Sequence, residues 1–330
     1  MKTVIIAEMA CSHNGDINDA YKIAKYAHAS KADIIQLQIW KLNYMMSPKN
    51  KIYKKLKKIE FNENQWISLI RKIRKNLKGL KIYICFYEHK SFDLLKKVKV
   101  DGIKINTSDL NNNFLLKSAG KSKLPINLSV GASTFQEISK STKILKRFKN
   151  KVNLLYGLQN FPTKIEDVNL KKLKFLKDKF KLNIGYQDHC EGNSNEGLYL
   201  PILSLGYGVE IIEKHICLNR SKSGFDYQSA LKPKEFKKFV KNIRIVEKSI
   251  GGKFSNKFSK SELIYRDFQK KNVVSTKFIK LGEKFNSANV SMIRTGKINN
   301  KSNNIEKIVG KKSKINIKPY TVITPSMLSN

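Results

Sequence analysis

The sequence predicts an α/β fold, a (β/α)8 TIM barrel followed by a small β-rich domain. Eight runs rich in Ile, Val and other strand-forming residues are separated by stretches with helical periodicity. Eight such units in about 250 residues match the size of a (β/α)8 barrel. A doubly wound sheet would instead carry a glycine-rich loop after its first strand, and the segment CSHNG at residues 11–15 is not such a loop.

The strands are predicted to be buried on both faces, because their apolar runs are continuous rather than alternating. They are predicted at residues 4–10, 33–39, 81–86, 102–106, 125–130, 152–158, 183–188 and 208–216. Helices are predicted at residues 18–30, 63–77, 91–97, 134–148, 168–180, 196–205 and 234–250. The long, aromatic and basic segment 40–61 suits either a lid over the barrel mouth or a solvated surface excursion.

Composition changes after the last predicted barrel helix. The barrel is predicted to span residues 1–252, and the Gly-, Ser- and Lys-rich start of residues 253–270 predicts a linker. Short strand-like runs and turns then predict a β-rich domain over residues 271–330. A domain of that size is marginally stable alone, so we expect it to pack on the barrel or on a partner subunit.

The charge is strongly basic, with 65 Lys and Arg residues against 26 Asp and Glu residues in 330, a formal net charge of +39. The lysines are spread through almost every predicted helix, which indicates compositional bias; attraction of anionic substrates or polyanions is the alternative. No nucleic-acid recognition motif, signal peptide or membrane-length apolar run is evident, and the four cysteines are scattered singly. We expect a cytoplasmic protein with reduced thiols and no specific nucleic-acid or membrane partner.

Polar residues collect where the predicted strands end. Chemistry in barrel enzymes takes place at the carboxyl ends of the strands, so these residues are the candidates for a site. In chain order they include Glu8, Gln36, Lys104, Thr107, Asp109, Ser129, Gln159, Gln187, His189, Glu213 and His215.

Two histidines, His189 and His215, end successive strands. With a carboxylate such as Glu8 and water they could share a divalent Mn, Fe, Co or Zn ion. The alternative is that each histidine is a hydrogen-bonded structural residue.

Lys104 has three interpretations. The nearby hydroxyls of Thr107 and Ser129 favour an ammonium that binds phosphate or carboxylate. A Schiff-base nucleophile and a structural ion pair with Asp101 or Asp109 are the alternatives.

With these residues, the chain resembles the sialic acid synthase (N-acetylneuraminate synthase) family, which includes legionaminate, pseudaminate and spore-coat polysaccharide synthases. The matching motifs are IAEMACSHNG at residues 6–15, IKI at 103–105, LS at 128–129, NFPTKIEDVNL at 160–170, GYQDH at 185–189, IEKH at 212–215 and GFD at 224–226. Each motif is short, but their order and spacing together are specific. The tail resembles that family's antifreeze-like (SAF) domain.

The resemblance implies condensation of phosphoenolpyruvate with an N-acetylated hexosamine-type sugar, which yields phosphate and a nonulosonic acid for surface polysaccharide. It implies a metal, usually Mn2+, on His189 and His215. It also implies phosphoenolpyruvate binding by Lys104, Thr107 and Ser129 and a sugar site lined by Asp109, Phe161 and Asp226. Catalytic roles are expected for Glu8, Glu213 and Asp226. Arg294, in VSMIRTG at residues 290–296, would reach the neighbouring barrel of a domain-swapped homodimer.

Several positions depart from the family pattern. Gln36, in IQLQ at residues 35–38, stands where the family carries a phosphoenolpyruvate-binding lysine, and Gln187 replaces a serine. Gln159 replaces an asparagine, while Thr107 and Asp109 stand for Ser and Glu. Glutamine donates hydrogen bonds but cannot neutralise phosphate. We therefore keep three outcomes open: weaker phosphoenolpyruvate binding, compensation by another lysine, or a different substrate.

Two other functions remain alternatives at this stage. One is a Schiff-base aldolase that uses Lys104. The other is a non-catalytic barrel that binds sugars or polyanions.

Overall fold

The computed structural model describes residues 2–220, 224–251, 256–299 and 302–329. The chain divides into two units, Met1–Gly252 and Lys253–Asn330. In the first unit eight parallel strands close into a barrel in chain order, which confirms the predicted fold class. The strands are β1 Val4–Glu8, β2 Ile34–Ile39, β3 Lys81–Phe86, β4 Gly102–Ile105, β5 Ile126–Ser129, β6 Val152–Tyr156, β7 Asn183–Asp188 and β8 Ile211–His215.

Helices follow the strands around the outside of the barrel. Those of the first unit are α1 Ile17–Ala29, α2 Leu42–Met45, α3 Tyr53–Lys57, α4 Glu63–Asn76, α5 Asn113–Lys121, α6 Phe135–Lys146, α7 Lys171–Phe180, α8 Glu196–Ser204 and α9 Pro233–Ile250. Helix α5 was not predicted. The helix predicted at residues 91–97 is a 3-10 helix, His89–Lys96.

Helix α4 illustrates how the sequence sets these elements. Asn62 accepts a hydrogen bond from the backbone of Gln65, whose side chain accepts one in return from the backbone of Asn62. This capping box fixes the start of the helix. Trp66, Leu69 and Ile73, at helical spacing, are then buried against the barrel.

The segment that follows β2 is anchored by apolar contacts. Trp40, Leu42 and Leu56 are buried together with Cys11, which follows β1. Residues 40–61 are therefore anchored by a few buried side chains and contain α2 and α3, while most of the segment is exposed. The choice between a lid and a surface excursion stays open.

Glycines allow three strand ends to approach closely. A β-carbon at Gly131 would lie 2.0 Å from the carbonyl oxygen of Gly157. One at Gly157 would lie 2.0 Å from the carbonyl oxygen of Gln187. Only glycine fits where backbone meets backbone at this distance. The carboxyl ends of β5, β6 and β7 are therefore held in contact.

The second unit has its own apolar core. It contains helix α10 Lys260–Gln269 and two antiparallel pairs, β9 Lys271–Ser275 with β10 Val290–Arg294 and β11 Lys312–Ser313 with β12 Leu328–Ser329. The core residues are Val273, Ile279, Phe285, Val290, Ile308, Ile317 and Ile323. Helix α10 lies within the segment predicted as a linker, and residues 253–255 of that segment fall outside the described residues. The assignment of this unit as a SAF domain stays a prediction.

None of the helices in the described part of the chain is both long enough and apolar enough to cross a membrane.

Substituting Gly157 tests the close approach of the strand ends. Gly157→Ala places a methyl group against the backbone of β7, so the free energy of unfolding should fall by about 1–3 kcal/mol or more. Gly206→Ala is the matched control, because nothing lies within 4 Å of its β-carbon position. Thermal melting of the two variants checks this; equal melting temperatures would show that β6 and β7 can separate at no cost.

Candidate active site

A cavity of about 200 Å³ lies at the carboxyl end of the barrel strands. Each lining side chain comes from the end of a strand or from the loop that follows it, the usual location of a barrel active site. The lining residues are Gln38, Tyr87, Lys104, Asn106, Gln159, Phe161, His189, His215 and Asp226.

The two histidines lie side by side in this cavity. His189 follows β7, His215 ends β8, and their ring centroids are 5.2 Å apart. Both are 3% exposed, and the Phe161 ring packs edge-on against each. The sequence predicted that these two strand ends would meet, and the closed barrel brings them together.

Hydrogen bonding leaves both rings able to bind a ligand. Nδ1 of His189 donates to the backbone carbonyl of Leu158, so its Nε2 carries a lone pair. Nδ1 of His215 has no hydrogen-bond partner among the described residues. Burial, followed by the charge of Lys104, lowers the pKa of His189 to about 3. Burial and the neighbouring His189 lower the pKa of His215 well below its usual value. Both imidazoles are therefore neutral at neutral pH, the form that coordinates metals.

The pair fits a divalent metal, but with fewer protein ligands than expected. Within the described ranges, no three His, Cys, Asp or Glu side chains are grouped to hold a metal ion. The Glu8 carboxylate, expected as a third ligand, does not line the cavity; it accepts from Gln36 and from the Ala10 N–H at 2.6 Å. A metal here would have two imidazole ligands and open positions for substrate and water.

A buried charge centre lies beside the histidines. The ammonium of Lys104 is 2.5 Å from Glu213 and 3.9 Å from Glu8. Gln36 donates to Glu8 and, at 3.0 Å, to Glu213. All four side chains are nearly inaccessible to solvent. One ammonium group and one side-chain amide are thus the shared partners of two carboxylates inside the barrel.

Lys104 keeps its proton in this environment. Burial lowers the pKa of its ammonium, but Glu213 and Glu8 raise the pKa by more. Burial raises the pKa of Glu8 to about 7, with Lys104 opposing and Glu213 adding to the shift. A Schiff-base nucleophile must be a neutral amine, so this arrangement disfavours the aldolase alternative.

The hydroxyl groups near Lys104 are linked through Gln187. Oγ of Ser129 is 2.8 Å from Oγ1 of Thr107 and 2.6 Å from the side-chain amide of Gln187. The amide orientation that satisfies both of its ends donates to the Leu155 carbonyl and accepts from Lys104 at 3.2 Å. Gln187, like Gln36, is therefore absorbed into an internal hydrogen-bond network.

Comparison with known proteins now gives the family. The model of the NeuB family matches residues 23–255. The chain belongs to the NeuB family. This confirms the resemblance drawn from the motifs and the prediction of an N-acetylneuraminate synthase-like enzyme.

Relatives of this NeuB-family chain extend over most of its length. It is 31% identical to the N,N'-diacetyllegionaminic acid synthase of Campylobacter jejuni over 308 residues, 89% of this chain and 90% of that protein. It is 29% identical to an N-acetylneuraminic acid synthetase of Leptospira borgpetersenii solved with citrate, with a TM-score of 0.74 over 82% of this chain and 93% of that one. A Bacillus subtilis spore coat polysaccharide biosynthesis protein shares the fold at 22% identity and a TM-score of 0.66, covering 100% and 96% of the two chains.

The predicted site residues of the NeuB-family chain fall into three groups. Lys104, Gln159, Phe161, His189, His215 and Asp226 line the cavity. Glu8, Gln36, Thr107, Ser129, Gln187 and Glu213 belong to the hydrogen-bonded network around Lys104. Asp109 is half-buried and bonded to Ser108 and Asn112, and Arg294 ends β10 in the second unit. The roles given to them by resemblance stay predictions.

Three lining residues were absent from the predicted site. Gln38 and Tyr87 stand at strand ends, but the resemblance gave them no role. Asn106 lies two residues after Lys104 and so faces the same side of β4; it donates to the Tyr87 hydroxyl at 2.7 Å. Strand alternation was the signal that could have identified Asn106.

A second buried ion pair ties together the strands that carry the histidines. Asp188 and Lys214 are register partners on β7 and β8, each one residue before a histidine, and their charged groups are in contact with no solvent exposure. The Tyr186 hydroxyl donates to Asp188 at 3.1 Å. Side chains alternate between the two faces of a strand, so this pair lies on the outer face of the barrel, away from the cavity, and holds β7 and β8 together there.

Removing one partner of that pair should be costly. Lys214→Met leaves the Asp188 carboxylate buried without its cation, so the free energy of unfolding should fall by about 3–5 kcal/mol. Lys174→Met is the control, because Lys174 pairs with Asp178 in an exposed position on α7 and should change stability little. Denaturant unfolding compares the two; a Lys214→Met protein as stable as the control would contradict this role.

Proposed function

We propose that this protein condenses phosphoenolpyruvate with an N-acetylated hexosamine-type sugar, giving phosphate and a nonulosonic acid for surface polysaccharide. One observation carries the proposal: a pair of neutral buried histidines stands beside the Lys104–Glu213 charge centre at the carboxyl end of a NeuB-family barrel. The legionaminic acid synthase of C. jejuni, 31% identical, supports the same substrate class.

In the proposed reaction, C3 of phosphoenolpyruvate bonds to the aldehyde carbon of the open-chain sugar, water adds at C2, and phosphate leaves. His189 and His215 would hold a divalent metal, Mn2+ in our proposal. When bound, it would supply Lewis-acid polarisation of the aldehyde. Phe161, packed against both rings, keeps bulk water from that side of the histidines.

Lys104, Thr107 and Ser129 are proposed to receive phosphoenolpyruvate. Lys104 lines the cavity but is 4% exposed and already paired with Glu213. Its charge is therefore largely offset, and the hydroxyls donate hydrogen bonds without adding charge. The chain's own groups are expected to bind this anion weakly, consistent with glutamine at position 36.

Two carboxyl groups have pKa values suited to proton transfer near neutral pH. Burial raises the pKa of Asp226 to about 6, with the charge of Lys104 opposing the shift. Asp226 lines the cavity and could take a proton from a sugar hydroxyl; Glu8, with a pKa of about 7, could hold a proton beside Glu213. Gln159, Phe161 and Asp109 complete the proposed sugar site.

Phosphate release tests the proposed reaction. With Mn2+, phosphoenolpyruvate and a panel of N-acetylated sugars, the protein should release inorganic phosphate with at least one sugar, and a chelator should stop the release. His215→Ala should reduce the rate to background. His89→Ala is the control, because His89 is exposed and lies outside the cavity. Absence of release with every sugar, or equal rates for both variants, would contradict the proposal.

We also propose that the active form is a domain-swapped homodimer in which Arg294 binds the sugar in the partner's barrel. The resemblance motivates this role. Arg294 supports it by being exposed and making no ion pair in the described part of the chain.

Mixed dimers of two inactive variants distinguish the subunits. Suppose that Arg294 acts in the partner's barrel and that the Arg294→Ala and His215→Ala proteins are mixed in equal amounts and allowed to exchange subunits. Half of the dimers are then mixed, and one of the two sites in each mixed dimer has both residues. About a quarter of all sites are intact, so about a quarter of the wild-type activity should return. If Arg294 acted in its own barrel, each active site of a mixed dimer would lack either Arg294 or His215, and the mixture would remain inactive. Phosphate release by the mixture decides between these outcomes.

A further inference from the structure

A second cavity lies at the opposite, amino-terminal end of the barrel strands. Its volume is about 410 Å³, and three asparagines on neighbouring strands line it, Asn127, Asn153 and Asn183. Nothing in the proposed reaction uses this end of the barrel. The cavity is within the range of small-molecule sites, about 300–1,000 Å³.

The asparagines form a row with unused hydrogen-bonding groups. Asn127 is the register partner of Asn153, and Asn153 of Asn183, on β5, β6 and β7. Nδ2 of Asn153 donates to Oδ1 of Asn127 at 2.9 Å. Nδ2 of Asn127 and Oδ1 of Asn153 have no protein partner within the described ranges, although these side chains are 1% and 5% exposed.

Exchanging the oxygen and nitrogen positions of the two side-chain amides would still leave hydrogen-bonding groups without partners. If both amides were turned over, Asn127 would donate to Asn153, and one N–H group and one carbonyl oxygen would again be unpaired. Buried amide groups without partners are unfavourable, and in folded proteins they are normally matched. The row is therefore complementary to a ligand that accepts one hydrogen bond and donates another.

The charges around this cavity select an anion. Its two acidic residues, Asp33 and Glu210, already hold basic side chains at 2.5 Å and 2.8 Å. Lys81 and Lys151 also line the cavity and make no ion pair among the described residues. Two ammonium groups without a carboxylate partner and an unpaired amide N–H therefore line one cavity, a combination that suits an oxyanion.

We propose that this amino-terminal cavity binds a small hydroxylated oxyanion. Its phosphate or carboxylate group is held by Lys81, Lys151 and the Asn127 amide, and its hydroxyl donates to Oδ1 of Asn153. The site is separate from the candidate active site and does not depend on the proposed reaction.

Calorimetry with two probes tests the site. Glycerol 3-phosphate and glycerate both have a three-carbon skeleton with two hydroxyl groups but differ in their anionic group, so the tighter binder identifies the anion. At fixed ionic strength, Lys81→Ala/Lys151→Ala should bind that probe roughly tenfold more weakly than the wild type. The matched control, Lys237→Ala/Lys238→Ala on α9, removes the same charge from exposed positions and should bind it as the wild type does.

Equal affinities of the two double variants, or failure of the wild type to bind either probe, would overturn the proposal. The substituted lysines are exposed, so both variants should fold, and circular dichroism checks this. Crystals soaked with the tighter probe then locate it: density against Asn127 supports the site. Density confined to the carboxyl-end cavity would overturn the site, whether or not the protein also releases phosphate from phosphoenolpyruvate.

Discussion

The buried contact between Lys104 and Glu213 is the interaction on which the rest of the site depends. Removing an ammonium and a carboxylate from water is costly, and the cost is offset only when both groups find further partners. Here Gln36 donates to Glu213, and Gln187 offers its amide oxygen to Lys104. The ion pair and its two glutamine partners come from four different strands. Their contacts therefore fix the relative positions of β2, β4, β7 and β8 as well as the floor of the cavity.

This charge centre accounts for the two glutamines. The network holds two carboxylates, Glu8 and Glu213, and one cation. Gln36 donates to both carboxylates without adding a charge, and burial raises the pKa of Glu8 to about 7, so this carboxyl carries only part of its charge at neutral pH. A lysine at position 36 would add a second ammonium to a network that is already nearly balanced. The glutamine therefore stabilises the network but contributes no charge for an incoming phosphate.

The parts of the molecule that could be predicted from sequence are those set by local pattern. Continuous apolar runs identified all eight barrel strands, and strand ends identified the histidines, since parallel strands bring their carboxyl ends to one edge. Helix α5 was missed because it is only nine residues long and carries Gly120, a poor helix former, in its last turn. The engagement of Lys104 by Glu213 joins residues 109 positions apart. No local pattern encodes a contact at that separation; closure of the barrel creates it.

The same limit applies to the residues that support the site without entering it. Asp188 and Lys214 read in the sequence as ordinary neighbours of the two histidines, and only the register of β7 and β8 shows that they meet on the outer side of the barrel. The glycine contacts of Gly157 likewise depend on the distance between strands.

An apolar layer lies beneath part of the charge network inside the barrel. Ile6, Ile34 and Ile211 belong to one apolar cluster, and each lies two residues before a member of the charge network, Glu8, Gln36 or Glu213. Side chains two residues apart on a strand share a face, so these isoleucines form the layer beneath the network. An apolar layer there excludes water from below the carboxylates, which contributes to the burial that raises the pKa of Glu8.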